Sequence, residues 1–424
     1  MPSVVRSAWP LFLGVALIMV GNGLQGSLIG IRATQAGFPT TATGLIMSGY
    51  FAGFLLGSAL VPRLISVVGH VRVFAAMASV ASTAVLLHVL FVNVPSWVLM
   101  RVATGFCYAG LYIVAESWIN DRATNETRGK LFAVYMLLVL GGMAGGQLLL
   151  NIDDASGADL FILSSILISF ALVPMLLSGG QAPAFEKPES VSMMGLYRLS
   201  PLGVVASFGT GMAHGLVLGM GAVYAEGMGL SLTEISLFLA AIYVGGMLFQ
   251  FPIGALSDRF DRRMMLTTIT LLAGTAAIFA GTLTAESGTL LLVITCIFGG
   301  MCLPLYSVCV AHTNDNLTPE QMVAASGTLY MCVGIGAAIG PVLGAFFMGE
   351  FGPPTYFFCL AIIHALIGLF ALYRMTRRQA VPLAEQGPAL QITSATSALA
   401  TSFSTEAAIE QMDEDDEDSK GLDW

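Results

Sequence analysis

From Trp9 onward the chain alternates long apolar runs with short polar breaks. Each run is about 20 residues or longer, the length an α-helix needs to cross the hydrocarbon core of a bilayer. A helix closes its own backbone hydrogen bonds where lipid offers none, so helices are the expected elements. The pattern predicts twelve spans, near 9–31, 42–65, 72–93, 96–119, 130–151, 158–177, 201–224, 233–256, 263–284, 288–311, 323–348 and 354–375. One longer polar stretch, "SGGQAPAFEKPESVSMMGLYRLS" at 178–200, parts the sixth span from the seventh. The expected organisation is an all-α polytopic membrane protein. It has six helices over 1–177, a central loop over 178–200, six helices over 201–378 and a tail over 379–424.

Composition agrees with that pattern. Of 424 residues, 56% are hydrophobic and 10% charged, whereas a soluble domain carries roughly 25% charged residues to cover its wetted surface. The first run is too long for the apolar core of a signal peptide and lacks a small-residue cleavage site, so it is read as the first span. Six cysteines lie in apolar runs without CxxC or Cys/His spacing, which points to small buried thiols and to neither metal nor disulfide. The net charge of −9 belongs to the tail, where ten acidic residues face Lys420 alone, so the first 378 residues are neutral. A neutral body gives no reason to expect nucleic acid as a partner. The tail is Ala/Ser/Thr-rich and ends in "DEDDED" (413–418), too little apolar surface to fold by itself, and is expected to be disordered.

Basic residues set the direction of threading. With the N-terminus in the cytoplasm, Arg6, Arg63, Arg72, Arg122, Arg128, Lys130, Lys187, Arg198, Arg259, Arg262, Arg263, Arg374, Arg377, Arg378 and Lys420 all fall inside, and only Arg32 and Arg101 do not. Both termini are expected inside. The outer breaks hold Asp153, Asp154, Asp159, Glu226, Glu286 and Glu350 and no Lys.

The two halves match each other. "GNGLQGSLIG" (21–30) aligns with "GTGMAHGLVLG" (209–219), "YFAG" (50–53) with "YVGG" (243–246), "GFC" (105–107) with "GMC" (300–302), and "VYM" (134–136) with "LYM" (329–331). Four matches in consistent order predict a duplication of six helices. Paired halves around a central cavity are the build of alternating-access carriers, which hold solute near the midplane.

These residues resemble the major facilitator superfamily. "GALSDRFDRR" (254–263) fits its signature for the loop after the second helix of a half, with Asp261 where Gly is usual. "RVATGFCYAG" (101–110) is similar to its fourth-helix Arg motif. "GAAIGPVLG" (336–344) has the spacing of its antiporter motif, but in the eleventh span; the fifth reads "GGMAGGQLL" (141–149), with Gly146 in place of Pro. The N-terminal copy of the loop signature carries Pro62-Arg63 and lacks its Asp. "AESWIN" (115–120) with "RGKLFAVYM" (128–136) resembles the YcaD-like branch. The resemblance implies two pseudo-symmetric six-helix bundles. It also implies a cytoplasmic latch between halves through Asp258, Arg259 and Arg262, whose partner by pseudo-symmetry is the start of the fifth span near Arg128–Lys130. Topology alone accounts for the arginines but not for Asp258, because acids add little to orientation.

Ionisable groups at membrane depth cost a few kcal/mol and usually face a cavity or a partner. Arg101 and Glu116 lie on one helix, about 22 Å apart at 1.5 Å per residue. Glu116 is the candidate for proton coupling, against a plain interfacial role beside Asn120 and Asp121. Arg101 is the candidate to steady a carboxylate or bind an anionic solute, against a backbone-bonding structural role. His214, opposite Gln25 in the repeat, is the candidate for solute contact, against simple packing. Asn22 and Gln25, three apart on nearly one face, and Tyr50 with Tyr243 complete the candidate solute site. His88, His312 and His364 are read as structural. Gly141, Gly142, Gly145, Gly146 and Gly336, Gly340, Gly344 form small faces that let helices approach and slide.

The expected function is a secondary active transporter, proton-coupled or coupled to another cation, moving a small organic solute across a bacterial-type inner membrane as a monomer. The rival is a membrane sensor or scaffold that docks partners through its acidic tail. No phosphate-cradling Gly-x4-Gly-Lys-Ser/Thr loop or catalytic constellation is present, so neither enzyme chemistry nor a cofactor is expected.

Overall fold

The computed structural model of the chain describes residues 9–177, 191–388, 390, 392–394 and 396–421. Arg6, and the part of the central loop that includes Lys187, lie outside the described residues. The first half comprises α1 (Trp9–Gln35), α2 (Thr40–Val68), α3 (His70–Leu90), α4 (Val94–Asp121), α5 (Asn125–Leu148) and α6 (Asp159–Leu177). A short α7 (Met193–Leu199) occupies part of the stretch expected as loop. The second half comprises α8 (Pro201–Gly227), α9 (Leu232–Ser257), α10 (Arg262–Thr282), α11 (Thr289–Cys302), α12 (Leu305–Asn314), α13 (Pro319–Phe351) and α14 (Thr355–Met375). Counting α11 and α12 together, twelve described spans are long and apolar enough to cross a membrane.

Local chemistry sets the ends of these helices. Asn93 accepts from the Ser96 amide at 3.0 Å to start α4, and Ser231 with Glu234 forms a capping box at the start of α9. The tenth span breaks because Pro304 has no amide hydrogen to continue the helix. Helices such as α14 are apolar all round: Leu360, His364 and Ile367 face the protein, while Ile362, Leu366 and Leu369 are exposed on the outside. An apolar outer face is what lipid accepts.

The halves repeat one packing device. A Cβ on Gly105 of α4 would fall on the Tyr50 carbonyl oxygen of α2; a Cβ on Gly299 of α11 would fall on the Ile242 carbonyl oxygen of α9. The counterpart of Tyr50 by contact is therefore Ile242, and that of Gly105 is Gly299. Each is one position before the residue that sequence matching selects. The expected sliding glycine faces lie inside the halves: Gly142 and Gly146 pack α5 on Met19 and Val20 of α1, and Gly336 and Gly340 pack α13 on Phe208 and Met212 of α8. They hold each half together rather than forming the surface between halves.

The two halves meet directly at the end remote from the basic loops. Asn151 Nδ2 donates to Ser236 Oγ at 2.7 Å, Ser48 Oγ donates to the Ala338 carbonyl, and Gly44 packs against Pro341 and Ala345. Toward the basic face the space between halves is filled by the tail. This corrects the expectation of a disordered segment. Residues Ala398–Gly421 form a helix, α15, and Leu390, Ile392, Thr396, Ser397 and Thr401 are buried. The segment has no core of its own; the vestibule supplies one.

The repeated close approach predicts a matched pair of effects. Gly105→Ala and Gly299→Ala should each destabilise the detergent-solubilised protein by about 1–3 kcal/mol through forced helix separation. Gly141→Ala, where a Cβ meets open space, should leave the thermal midpoint unchanged or raise it slightly.

Candidate functional site

Helix α4 presents Arg101, Gly105, Tyr108 and Tyr112 at spacings of four, three and four, which is one helical face. The close approach at Gly105 brings α2 against that face and lays the Arg101 guanidinium over the Tyr50 ring, 4.5 Å from its centroid. Tyr50 and Tyr112 in turn accept from Asn22 Nδ2 of α1 at 3.1 and 2.7 Å. These groups open on a cavity of about 80 Å³ between the halves, which Tyr243 of α9, His214 of α8 and Tyr330 of α13 line from the other side.

Arg101 is 3% exposed, and its Nε and Nη1 hydrogens meet no acceptor among the described residues. A buried guanidinium held by aromatic faces alone is under-satisfied. It is the one expected site residue whose hydrogen-bonding capacity is visibly left over beside the cavity. His214 differs. Its Nε2 meets the Cys302 carbonyl at 2.8 Å, at the break of the tenth span, and its Nδ1 meets Ser394 Oγ of the tail. A carbonyl only accepts, so Nε2 carries a hydrogen, and in the neutral ring Nδ1 accepts from the serine hydroxyl.

Gln25 departs from the expectation. It is fully buried and does not line the cavity. The lining face of α1 runs through Asn22, Gly23, Gly26 and Ser27, and at 3.6 residues per turn its centre lies roughly 130° from Gln25. The amide the cavity uses is Gln147 of α5, which accepts from Ser27 Oγ at 2.5 Å and donates to the Gly23 carbonyl at 2.9 Å. Gln147 sits inside "GGMAGGQLL", a stretch whose glycines drew attention away from its single polar side chain. Tyr112 and Tyr330 were also missed; the four-residue step from Tyr108 was a usable signal for Tyr112.

Glu116 lies toward the basic face and is fully buried. Its oxygens accept from Tyr135 OH at 2.7 Å, the Ser397 amide at 2.9 Å, the Ala400 amide at 3.2 Å and Ser397 Oγ. The last three donors come from the N-terminal turn of α15, where free amides and the helix dipole favour an anion.

The charged turn stands differently from the expected latch. Arg262 is buried and binds Asp315 and the Ala311 carbonyl (3.0 Å) of α12 and its end, the Gly387 carbonyl of the tail, and Asp258 at 3.3 Å. These partners lie in the second half and the tail. Arg128, expected opposite Asp258, pairs with Glu410 of α15 at 2.5 Å. Arg259 is exposed. Asp261, in the place of the usual Gly, caps α10 by accepting from the Arg263 amide at 2.9 Å. Asp315 gave no signal in the sequence beyond being an acid at a helix end.

Burial pushes the Asp315 carboxyl up to about 7, against the pull of the Arg262 guanidinium. A raised acid holds its proton below that value, so the ion pair is complete above about pH 7 and weakens as pH falls through it. Hydrogen exchange across 258–263, corrected for intrinsic rates, should accelerate on that descent, and Asp315→Asn should flatten the dependence.

A family model described as Major Facilitator Superfamily matches residues 11–232 and 199–409, that is, each half in turn. The chain is 27% identical over 381 residues to the "Uncharacterized MFS-type transporter YcaD" of Escherichia fergusonii, covering 89% of this chain and 98% of that one. It is 26% identical over 388 residues to the protein of the same name from Salmonella newport, covering 91% and 100%. Among solved structures, the nucleoside transporter NupG superposes with a TM-score of 0.73 at 14% identity, covering 88% of this chain and 100% of that one. A bacterial homolog to the human lysosomal transporter Spinster, in an inward-facing and occupied conformation, superposes with a TM-score of 0.74 at 15% identity, covering 91% and 99%.

Proposed function

We propose a function from one premise: the chain belongs to the Major Facilitator Superfamily. It is a secondary active transporter that carries a small organic solute across the inner membrane by alternating access, coupled to protons, as a monomer. Its basic face, and with it both termini, lies in the cytoplasm, as the distribution of Lys and Arg favours.

The observation that carries this reading is the cavity between the halves with Arg101 at its wall. A solute bearing a carboxylate or phosphate supplies acceptors for the Nε and Nη1 hydrogens that lack them, as charge-assisted hydrogen bonds. Asn22, Tyr112 and Gln147 offer neutral donors and acceptors around it. Tyr50 and Tyr243 provide aromatic walls on opposite sides. The favoured cargo is a small organic anion with a flat or apolar body.

Glu116 is the proposed proton site. A carboxyl at this depth is costly to keep charged, so its protonation follows the donors around it. Those donors divide between α5 of the same half and the tail, and a rocking motion alters the relation of the tail to α4.

A thermal-shift screen of the purified protein against metabolites at two pH values tests both assignments. An organic anion should stabilise the protein, and Arg101→Gln should weaken its binding about ten- to a hundredfold, as loss of one charge-assisted hydrogen bond implies. Glu116→Gln should remove the pH dependence of that binding while retaining the ligand. Undiminished binding in Arg101→Gln, or stabilisation by neutral solutes alone, contradicts the anion assignment.

A further inference from the structure

The tail is chemically suited to the space it fills. Residues 386–405 carry no charge and are mostly Ser, Thr, Ala and Gly, so they enter a narrow crevice without bringing a charge to membrane depth. Charge resumes at Glu406, and Glu410 meets Arg128 near the basic mouth. Between these limits the segment is bonded to both halves.

On the first half it binds Glu116 through the α15 N-terminus, and Phe403 packs on Phe132 with ring centroids 6.3 Å apart. On the second, Gln250 Nε2 donates to the Ile392 carbonyl at 3.0 Å, Tyr306 meets Thr401 at 3.2 Å, and Ser326 meets Thr405 at 3.2 Å. The body therefore spends its own buried polar groups on the segment. Ser394 borders the cavity that Arg101 lines, and the space left there is about 80 Å³, well below the roughly 300 Å³ at which small-molecule sites begin.

We propose that the described residues between Gly387 and Glu410 are an intramolecular plug of the vestibule between the halves, which must withdraw before solute passes the basic face. Plug and solute exclude each other. The segment also ties the two halves together across that face, so they cannot close on it while the plug is in place. The occupant is the chain's own tail, because residues 376–386 lead continuously from the end of α14 to the mouth.

The test needs no identified solute, so it is independent of the cargo assignment. In protein lacking the six native cysteines, with thermal stability checked against the parent, Ser326→Cys and Thr405→Cys should oxidise to a disulfide within one chain. Separately, Leu218→Cys, on the cavity wall, should react with a membrane-impermeant maleimide about tenfold faster when the plug is released. Release is achieved by ending the chain at Gln386, or, in the full chain, by Thr401→Asp, which forces a carboxylate into a fully buried position. Should the shortened chain fail to fold, Thr401→Asp decides. An unchanged labelling rate in the folded variants, absence of the disulfide, or a disulfide joining two chains overturns the proposal.

Discussion

A charge held at membrane depth must be answered from within the protein, because lipid answers nothing. Among the described residues Arg262, at the basic end of its span, and Glu116 and Arg101, within one span, are buried, and each is treated differently. Arg262 is met by the Asp315 carboxylate and two backbone carbonyls. Glu116 is met by a tyrosine and the amides of a helix start. Arg101 stacks on the face of Tyr50, and its Nε and Nη1 hydrogens meet no acceptor among the described residues. The first arrangement lies within one half and the tail, and leaves only the Nε hydrogen without an acceptor among the described residues. The second is shared with a segment that is not part of either bundle. The third is incomplete, and an incomplete cation beside a cavity is what a transient ligand would need to find.

The halves can act as units because glycine lets their helices touch backbone to backbone. The contacts of Gly105 and Gly299 recur in both halves and hold α2 to α4 and α9 to α11. Close-packed bodies of this kind move by tilting at their shared surface more readily than by internal rearrangement. That surface is sealed by direct contact at the end remote from the basic loops and bridged by the tail at the other. The cavity lies between the two seals, in the proposed cycle facing the cytoplasm.

Much of this was legible in the residues. Runs of about 20 apolar residues fix helices in lipid with little ambiguity, so all twelve spans were found, and the repeat followed from matched glycines and tyrosines. Of the residues singled out as candidates, Asn22, Tyr50, Arg101, His214 and Tyr243 line the cavity. Periodicity did not resolve which face of α1 turns inward, because Asn22 and Gln25 both fit one, and it took Gly23 and Ser27 to set the angle. The tail was misjudged for a different reason. Composition predicts whether a segment can build a core of its own, and says nothing about a crevice that another part of the chain has already built. Asp315 and Gln147 matter through neighbours distant in sequence, which no local pattern carries.

The account stands or falls on whether the two halves tilt about the shared cavity. Spin labels at Val67 and Phe260 span the halves at the basic face, and labels at Val92 and Phe351 span them at the other; all four positions are exposed. Pulsed dipolar distances for both pairs, recorded in lipid at high and low pH, test it most directly. The account predicts that the basic-face distance shortens as the opposite distance lengthens. Two distances that stay fixed under every condition, or that grow and shrink together, would contradict it.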